Sequence, residues 1–221
     1  MAGAVKTLEL DQFANGLSAT ARDLPSLDYH KPLKAIRVAA IADVKENFAG
    51  GHSPEGAIWA PLKWARLRAG NGSSAPLRDT GKLMGSITGQ GVGHVEQITG
   101  TELTIGTNLV NAAIHQYGGT IRPVNAKALA IPRTLDAFRA GSPRNFPRPL
   151  FFGKGPKASY LAETQQKGRG KKKSPTLVIH YLLLKQVTIP ARPYLGWSPA
   201  LLETSNLILQ DFVDGEIARR L

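Results

Sequence analysis

The stretch KPLKAIRVAAIADVKENF at residues 31–48 decides the architecture, because its apolar residues recur at three- and four-residue steps. This spacing predicts a helix with Pro32 in its first turn and an end at Gly50-Gly51. The apolar stripe consists of Leu33, Ile36, Ala40, Ile41, Val44 and Phe48. A second long stripe follows Ser198-Pro199, a capping residue with proline after it, and predicts a last helix to the end of the sequence.

Two further segments precede and follow the first helix in the sequence. Residues 9–22 predict a short helix, because Leu10, Phe13 and Leu17 fall on one face. Residues 51–80 predict a long flexible loop with a mobile NGSSAP tip, since glycine and proline interrupt any regular pattern.

The middle of the chain predicts β-structure. We expect a helical turn at 111–117 and alternating apolar residues on the last strand, which are Leu177, Ile179, Tyr181 and Leu183. The expected strands are 86–92, a hairpin of 95–99 and 103–106, and then 128–131, 150–152, 160–162 and 176–185.

These elements predict an α+β fold, a mostly antiparallel sheet with two main helices packed on one face and long projecting loops. We expect a single domain over residues 1–221, with a flexible loop at 51–80 and a basic hairpin insertion at about 133–185. Within that insertion, residues 164–175 are expected to form a flexible hairpin tip.

The charge balance is strongly basic. The formal net charge is +12 and the sequence pI is near 10.1, which points to polyanions such as nucleic acid, membrane surfaces or acidic protein faces. Part of the excess is local, in KGRGKKK. One interpretation is contact with DNA backbone; the favoured one is a solvated loop or a loop ordered against an acidic neighbour, because no aromatic residues interleave to stack bases. The basic residues are Lys167, Arg169, Lys171, Lys172 and Lys173.

Enzymatic chemistry lacks its usual signatures in the sequence. There is no cysteine, no G-x-S-x-G elbow and no phosphate-binding loop, and GQGVG at 89–93 connects two predicted strands instead of entering a helix. No two histidines stand four residues apart, as a helical zinc site requires. We therefore expect no cofactor, no metal site and no catalytic residue. No apolar run is long enough to cross a membrane and no signal peptide is visible, so we expect synthesis in the cytoplasm.

Five segments in order resemble one family. They are SPEGAIWAPLK at 53–63, LRDTGKLMGSI at 77–87, IGTNLVNAAIHQYGGTI at 105–121, ALAIP at 128–132 and VTIPARPYLGWSP at 187–199. Together they look like the virion morphogenesis (tail completion) family of Mu-like phages, which is related to tail-component and head–tail connector proteins of other long-tailed phages. One departure is Asn111, where the family often has tyrosine.

The resemblance implies a structural protein of the head–tail junction or tail end, made in the host cytoplasm, and not an enzyme. Its implied partners are further copies in a closed ring, a hexamer, and other neck and tail proteins such as a tail terminator, adaptor or stopper. Genomic DNA in the lumen is a further implied contact, and a membrane is not. Two alternatives stay open, a nucleic-acid-binding protein and a non-virion assembly factor, and an enzyme with a site built across subunits is a third.

Aromatic residues, proline and arginine in two of these segments are candidates for subunit contacts, since tryptophan, tyrosine and arginine are enriched at interface hot spots. Packing within the chain is the other interpretation. The candidates are Trp59, Pro61, Trp64, Arg192, Tyr194 and Trp197.

Overall fold

A computed structural model describes residues 27–62, 75–167 and 174–220. The helices are α1 (His30–Gly50), α2 (Lys82–Ile87), α3 (Ala112–Tyr117), α4 (Leu135–Ala140) and α5 (Pro199–Arg220), with one 3-10 turn at Pro143–Asn145. The strands are β1 (His94–Ile98), β2 (Leu103–Thr107), β3 (Gly119–Ile121), β4 (Leu129–Pro132), β5 (Phe151–Lys154), β6 (Ser159–Lys167), β7 (Ser174–Leu184) and β8 (Val187–Ile189).

The described residues group into two compact units, each assembled from separate stretches of sequence. Unit 1 contains α1, α2, the β1–β2 hairpin and α5, and its described residues are 27–57, 82–109 and 194–220. Unit 2 contains α3, α4 and the strands β3 to β8, and its described residues are 58–62, 75–81, 110–167 and 174–193. The expectation of a single domain stays a prediction.

Unit 1 is built on its two long helices. The helix α1 packs against α5 and against the antiparallel β1–β2 hairpin. Its inward stripe includes Ile36, Val44 and Phe48, which are almost completely buried. The helix ends at Gly51, whose left-handed backbone (φ 69°) lets its N–H bond to the carbonyl of Asn47.

Unit 2 is built on antiparallel strands. Its four-stranded sheet has the order β4-β7-β6-β5, and β3 pairs separately with β8. The core beneath the larger sheet consists of Ala137, Phe146 and Tyr181, and the Tyr181 hydroxyl donates a 3.0 Å hydrogen bond to the Ala137 carbonyl. This bond satisfies the one polar atom that Tyr181 brings into the core.

A shift in strand register departs from the alternation expected on β7. Leu161 pairs with Tyr181, whereas the next residue of β6, Ala162, pairs with Ile179. The extra residue on β7 lets His180 and Tyr181 both be buried, although they are neighbours in sequence. The prediction of one continuous apolar face was therefore wrong at this point, and Leu177 is 48% exposed.

The α+β class, the antiparallel pairing and the two main helices are confirmed. The strand expected at 86–92 was wrong, because α2 continues through Ile87 and helix-type bonds from Thr88 and Gln90 lead into a glycine turn. The strands β6 and β7 extend to Lys167 and Ser174, into the range expected to be a flexible tip, and residues 168–173 lie outside the described residues. Sequence patterns also missed β3, β8 and α4, and the helix predicted at 9–22 lies outside the described residues.

Candidate functional site

The segment 187–198, which we name the hub segment, ties together three of the five sequence elements. In unit 2 the indole Nε1 of Trp59 donates a 2.8 Å hydrogen bond to the Pro193 carbonyl. The guanidinium of Arg192 donates to the carbonyls of Ala60 and Pro61, at 2.9 and 3.3 Å. The first and the fifth elements are thus joined by side-chain to backbone bonds at several points.

Arg192 is held without a carboxylate partner among the described residues. It is 5% exposed, and this burial lowers the pKa of its guanidinium. The two carbonyl oxygens replace part of the lost hydration, and the planar fork suits two acceptors at once. The backbone N–H of Arg192 also donates to the carbonyl of His115 at 2.8 Å. Arg192 therefore fixes local backbone structure within unit 2.

The glycine pair of the third element allows a close backbone approach to the hub segment. Gly118 has a left-handed backbone (φ 71°), and a Cβ at this position would lie 2.7 Å from the amide nitrogen of Ala191. The next residue, Gly119, pairs with Ile189 in the β3–β8 ladder. A larger residue at 118 would push these two segments apart.

In unit 1 the hub segment continues onto α1. Tyr194 is buried and its ring lies 5.5 Å from that of Phe48. Ser198 caps α5 by accepting a 3.0 Å bond from the Leu201 N–H, and its hydroxyl donates to Asp43. The sequence-based prediction of Ser198 as the cap of the last helix is confirmed.

The six candidate interface residues therefore differ in accessibility. Trp59, Arg192 and Tyr194 are buried and bonded within the chain, whereas Pro61 is exposed and Trp197 is 59% exposed. Trp64 lies outside the described residues. Their role in subunit contacts stays a prediction, and the exposed Trp197 is the member best placed to touch another molecule.

Beside Trp197 an open apolar groove of about 490 Å³ crosses unit 1. We name it the unit 1 groove. Its apolar walls are Leu33 and Ile36 of α1, Leu103 and Ile105 of β2, Trp197, and Leu202 and Leu209 of α5. Leu202 is 45% exposed, so these walls present apolar side chains to solvent. Contiguous exposed apolar surface of this kind is typical of a binding site.

Unit 2 contains a charged cluster around one buried carboxylate that sequence patterns missed. Glu163 is 7% exposed, and one of its carboxylate oxygens accepts a 2.7 Å hydrogen bond from Arg148 Nε. Arg148 also bonds Asp136 at 2.9 Å, and its guanidinium lies over the ring of Phe146. The available signal was a glutamate directly after the apolar run at residues 160–162, since a buried carboxylate requires a partner.

The electrostatics of this cluster favour the charged carboxylate. The hydrogen bond from Arg148 lowers the pKa of Glu163 to about 2, helped by Gln165 and His180 and opposed by burial. In turn, the bonds to Glu163 and Asp136 raise the pKa of Arg148. The two groups are thus held in their ionised forms.

His180 connects this cluster to the start of α4. Its Nε2 lies 3.1 Å from Glu163 Oε1, a close electrostatic contact that lacks the alignment of a hydrogen bond. Its Nδ1 lies 2.7 Å from the hydroxyl of Thr134, which also accepts from the Ala137 N–H and caps α4. A Thr–His–Glu series can serve nucleophilic catalysis, but His180 is 1% exposed and Thr134 serves as a helix cap. The arrangement stabilises structure.

The basic residues predicted to contact DNA or an acidic partner follow β6. Lys167 is the last residue of β6, and only its strand assignment is described. The remaining four, Arg169, Lys171, Lys172 and Lys173, lie outside the described residues. In the described ranges no group of three or more acidic or histidine side chains could hold a metal ion. None of the helices there has the length and apolar character needed to span a membrane.

Comparison with family models matches residues 5–139 to the phage virion morphogenesis family. The match covers more than half of the chain and includes the first four of the sequence elements above; the hub segment lies beyond it. No curated protein matches the chain significantly, and neither does any solved structure.

Proposed function

Because the chain belongs to the phage virion morphogenesis family, we propose that it is a structural subunit of the head–tail junction, a tail completion or neck protein that forms a ring. The observation that carries this proposal is the family match over residues 5–139, which points to virion assembly and away from substrate turnover. The chain acts by binding its neighbours, and joins tail to head through protein–protein contacts.

The accessible features of unit 1 support a binding role. Closed rings need heterologous contacts, in which one surface of a subunit meets a different surface of the next. Trp197 exposes an aromatic side chain on unit 1, next to the cap that Ser198 forms for α5. A rigid support beneath exposed aromatic and aliphatic groups lowers the entropic cost of association.

The net charge of +12 supports an anionic neighbour. In the proposed ring, the basic residues after β6 face acidic subunits or the DNA that passes through the lumen. The proposed ring is a hexamer, and its proposed neighbours are a tail terminator, an adaptor or a stopper. The proposed location of the chain is therefore the virion.

Complementation tests this function directly. A phage that lacks the gene should yield filled heads and complete tails that do not join, and purified protein added to that lysate should restore infectious particles. Arg192→Ala protein should restore fewer, because it loosens the hub segment, whereas Arg144→Ala, in the exposed 3-10 turn, serves as the matched control. Lysates without heads or without tails would instead indicate a non-virion assembly factor.

The same charge supports a second candidate, a free nucleic-acid-binding protein. That protein would bind duplex DNA as an isolated chain, with an affinity that falls steeply as salt increases. Titration of the purified chain with DNA at several salt concentrations separates the candidates, since a ring subunit needs its neighbours for most of its contacts.

A further inference from the structure

The unit 1 groove begins where the described chain begins. The backbone N–H of Tyr29 donates a 2.7 Å hydrogen bond to the carbonyl of Gly100, and the next residue, Thr101, lines the groove. Leu27 is buried, and the Tyr29 ring lies 5.4 Å from that of Phe212 on α5. The first described residues are therefore fixed at one end of the groove, and the 26 residues before them are attached there.

Those preceding residues lie outside the described part of the chain, and their sequence predicts an apolar face that matches the groove in chemistry. Residues 9–22 place Leu10, Phe13 and Leu17 on one helical face, with Asp11, Gln12 and Asn15 elsewhere. Packing an amphipathic helix into an apolar groove is a common mode of recognition, with anchors at three- and four-residue steps.

The connection is short. Four residues, 23–26, separate the predicted helix from Leu27, and an extended chain spans at most about 3.3–3.6 Å per residue, so the segment stays near this end of the groove. A tethered segment has a high effective concentration at a nearby groove, which favours its own chain over another. The family match starts at residue 5, so the segment belongs to the family domain.

We propose that the unit 1 groove receives the apolar face of residues 9–22 of the same chain. This contact covers Leu202, and it completes the core between α1, β2 and α5. The inference concerns the isolated subunit and does not depend on the proposed place in the virion.

A chain without cysteine allows a clean cross-linking test. In the double variant Phe13→Cys/Leu202→Cys, mild oxidation should form a disulfide within one chain, which appears as a faster-migrating monomer on a non-reducing gel. Two matched controls should cross-link severalfold more slowly, because their side chains point elsewhere. One is Gln12→Cys/Leu202→Cys, and the other is Phe13→Cys/Leu207→Cys, at an exposed α5 residue outside the groove.

Each outcome decides the proposal. A fast intrachain disulfide in the first pair alone supports it. A disulfide between chains would overturn it in favour of docking on a second copy, and equal rates in all three pairs would overturn it as well. Thermal melting of the reduced variants confirms that they fold. As a second measurement, deletion of residues 2–24 should increase amide exchange in peptides covering 195–209; unchanged exchange would contradict the proposal.

Discussion

The two units bury different kinds of polar side chain. Among the described residues, the buried carboxylate, imidazole and guanidinium groups, Glu163, His180 and Arg192, all lie in unit 2, and each has polar neighbours there. The buried polar side chains of unit 1 carry no charge, and its core is formed by apolar faces of helices. Unit 1 also leaves the apolar groove open.

This difference indicates how the two units contribute. A charged network excludes alternative arrangements because any missing partner leaves a desolvated charge. Apolar packing is less directional, so the exposed walls of the groove in unit 1 can accept another apolar surface. This difference predicts that mutations in the apolar core of unit 1 and mutations of the buried polar groups of unit 2 lower stability by different mechanisms.

The largest effect is expected in the apolar core of unit 1. Phe48→Ala should lower the free energy of unfolding by about 3–5 kcal/mol, because it leaves a cavity beside Tyr194. Denaturant unfolding measures the change. Val38→Ala on the same helix, where the side chain is 63% exposed, is the matched control and should change stability little. Equal losses in both variants would show that α1 does not bury the face described.

The next effect is expected at Arg192. Arg192→Ala should lower the free energy of unfolding by about 1.5–3 kcal/mol for each hydrogen bond lost from the charged guanidinium, here the bonds to the carbonyls of Ala60 and Pro61. Arg192→Lys keeps a positive charge but loses the fork, so its stability should lie closer to the alanine variant than to wild type. Full stability of the lysine variant in denaturant unfolding would argue that charge alone matters.

The charged cluster predicts a pH dependence in unit 2. The folded pKa of Glu163 lies near 2, below its ordinary value of 4.5, so its stabilisation is complete above that value and is lost as the pH falls toward 2. Glu163→Gln should be less stable than wild type by about 1–2 kcal/mol at neutral pH, and the difference should shrink through this acidic window. A difference that stays constant down to pH 2 would contradict the assignment.

The smallest effect is expected at the cap of α5. Ser198→Ala removes the acceptor for the Leu201 N–H and should lower stability by about 0.5–2 kcal/mol. Thr204→Ala, at an exposed position of the same helix, should change the melting temperature little. A melting temperature equal to wild type for Ser198→Ala would show that the Ser198 cap does not stabilise α5.

Long periodic patterns made part of the fold predictable. The stripe of α1, the cap at Ser198 and the β1–β2 hairpin follow from local spacing, which neighbouring residues determine. The pairing of β3 with β8 does not, because three-residue strands far apart in sequence carry no period of their own. The bulge at His180 likewise depends on register between strands, which no single strand encodes.

The candidate site shows the same limit. Sequence patterns identified Trp59, Arg192 and Tyr194, but their burial and their carbonyl partners depend on how distant segments meet. The unit 1 groove is formed by three elements together, so no single stretch of sequence predicts it. The one related signal was the amphipathic pattern of residues 9–22, which predicts a helix that needs an apolar surface to pack against. Tertiary contacts thus determine which aromatic residues stay accessible.

The most direct test of the proposed role is cryo-electron microscopy of the head–tail junction in purified virions. We expect density for this chain as a closed ring at the neck or tail end, in a copy number equal to the ring symmetry, with Trp197 at a contact between molecules. Absence of the chain from the mature particle would contradict the role as a completion protein.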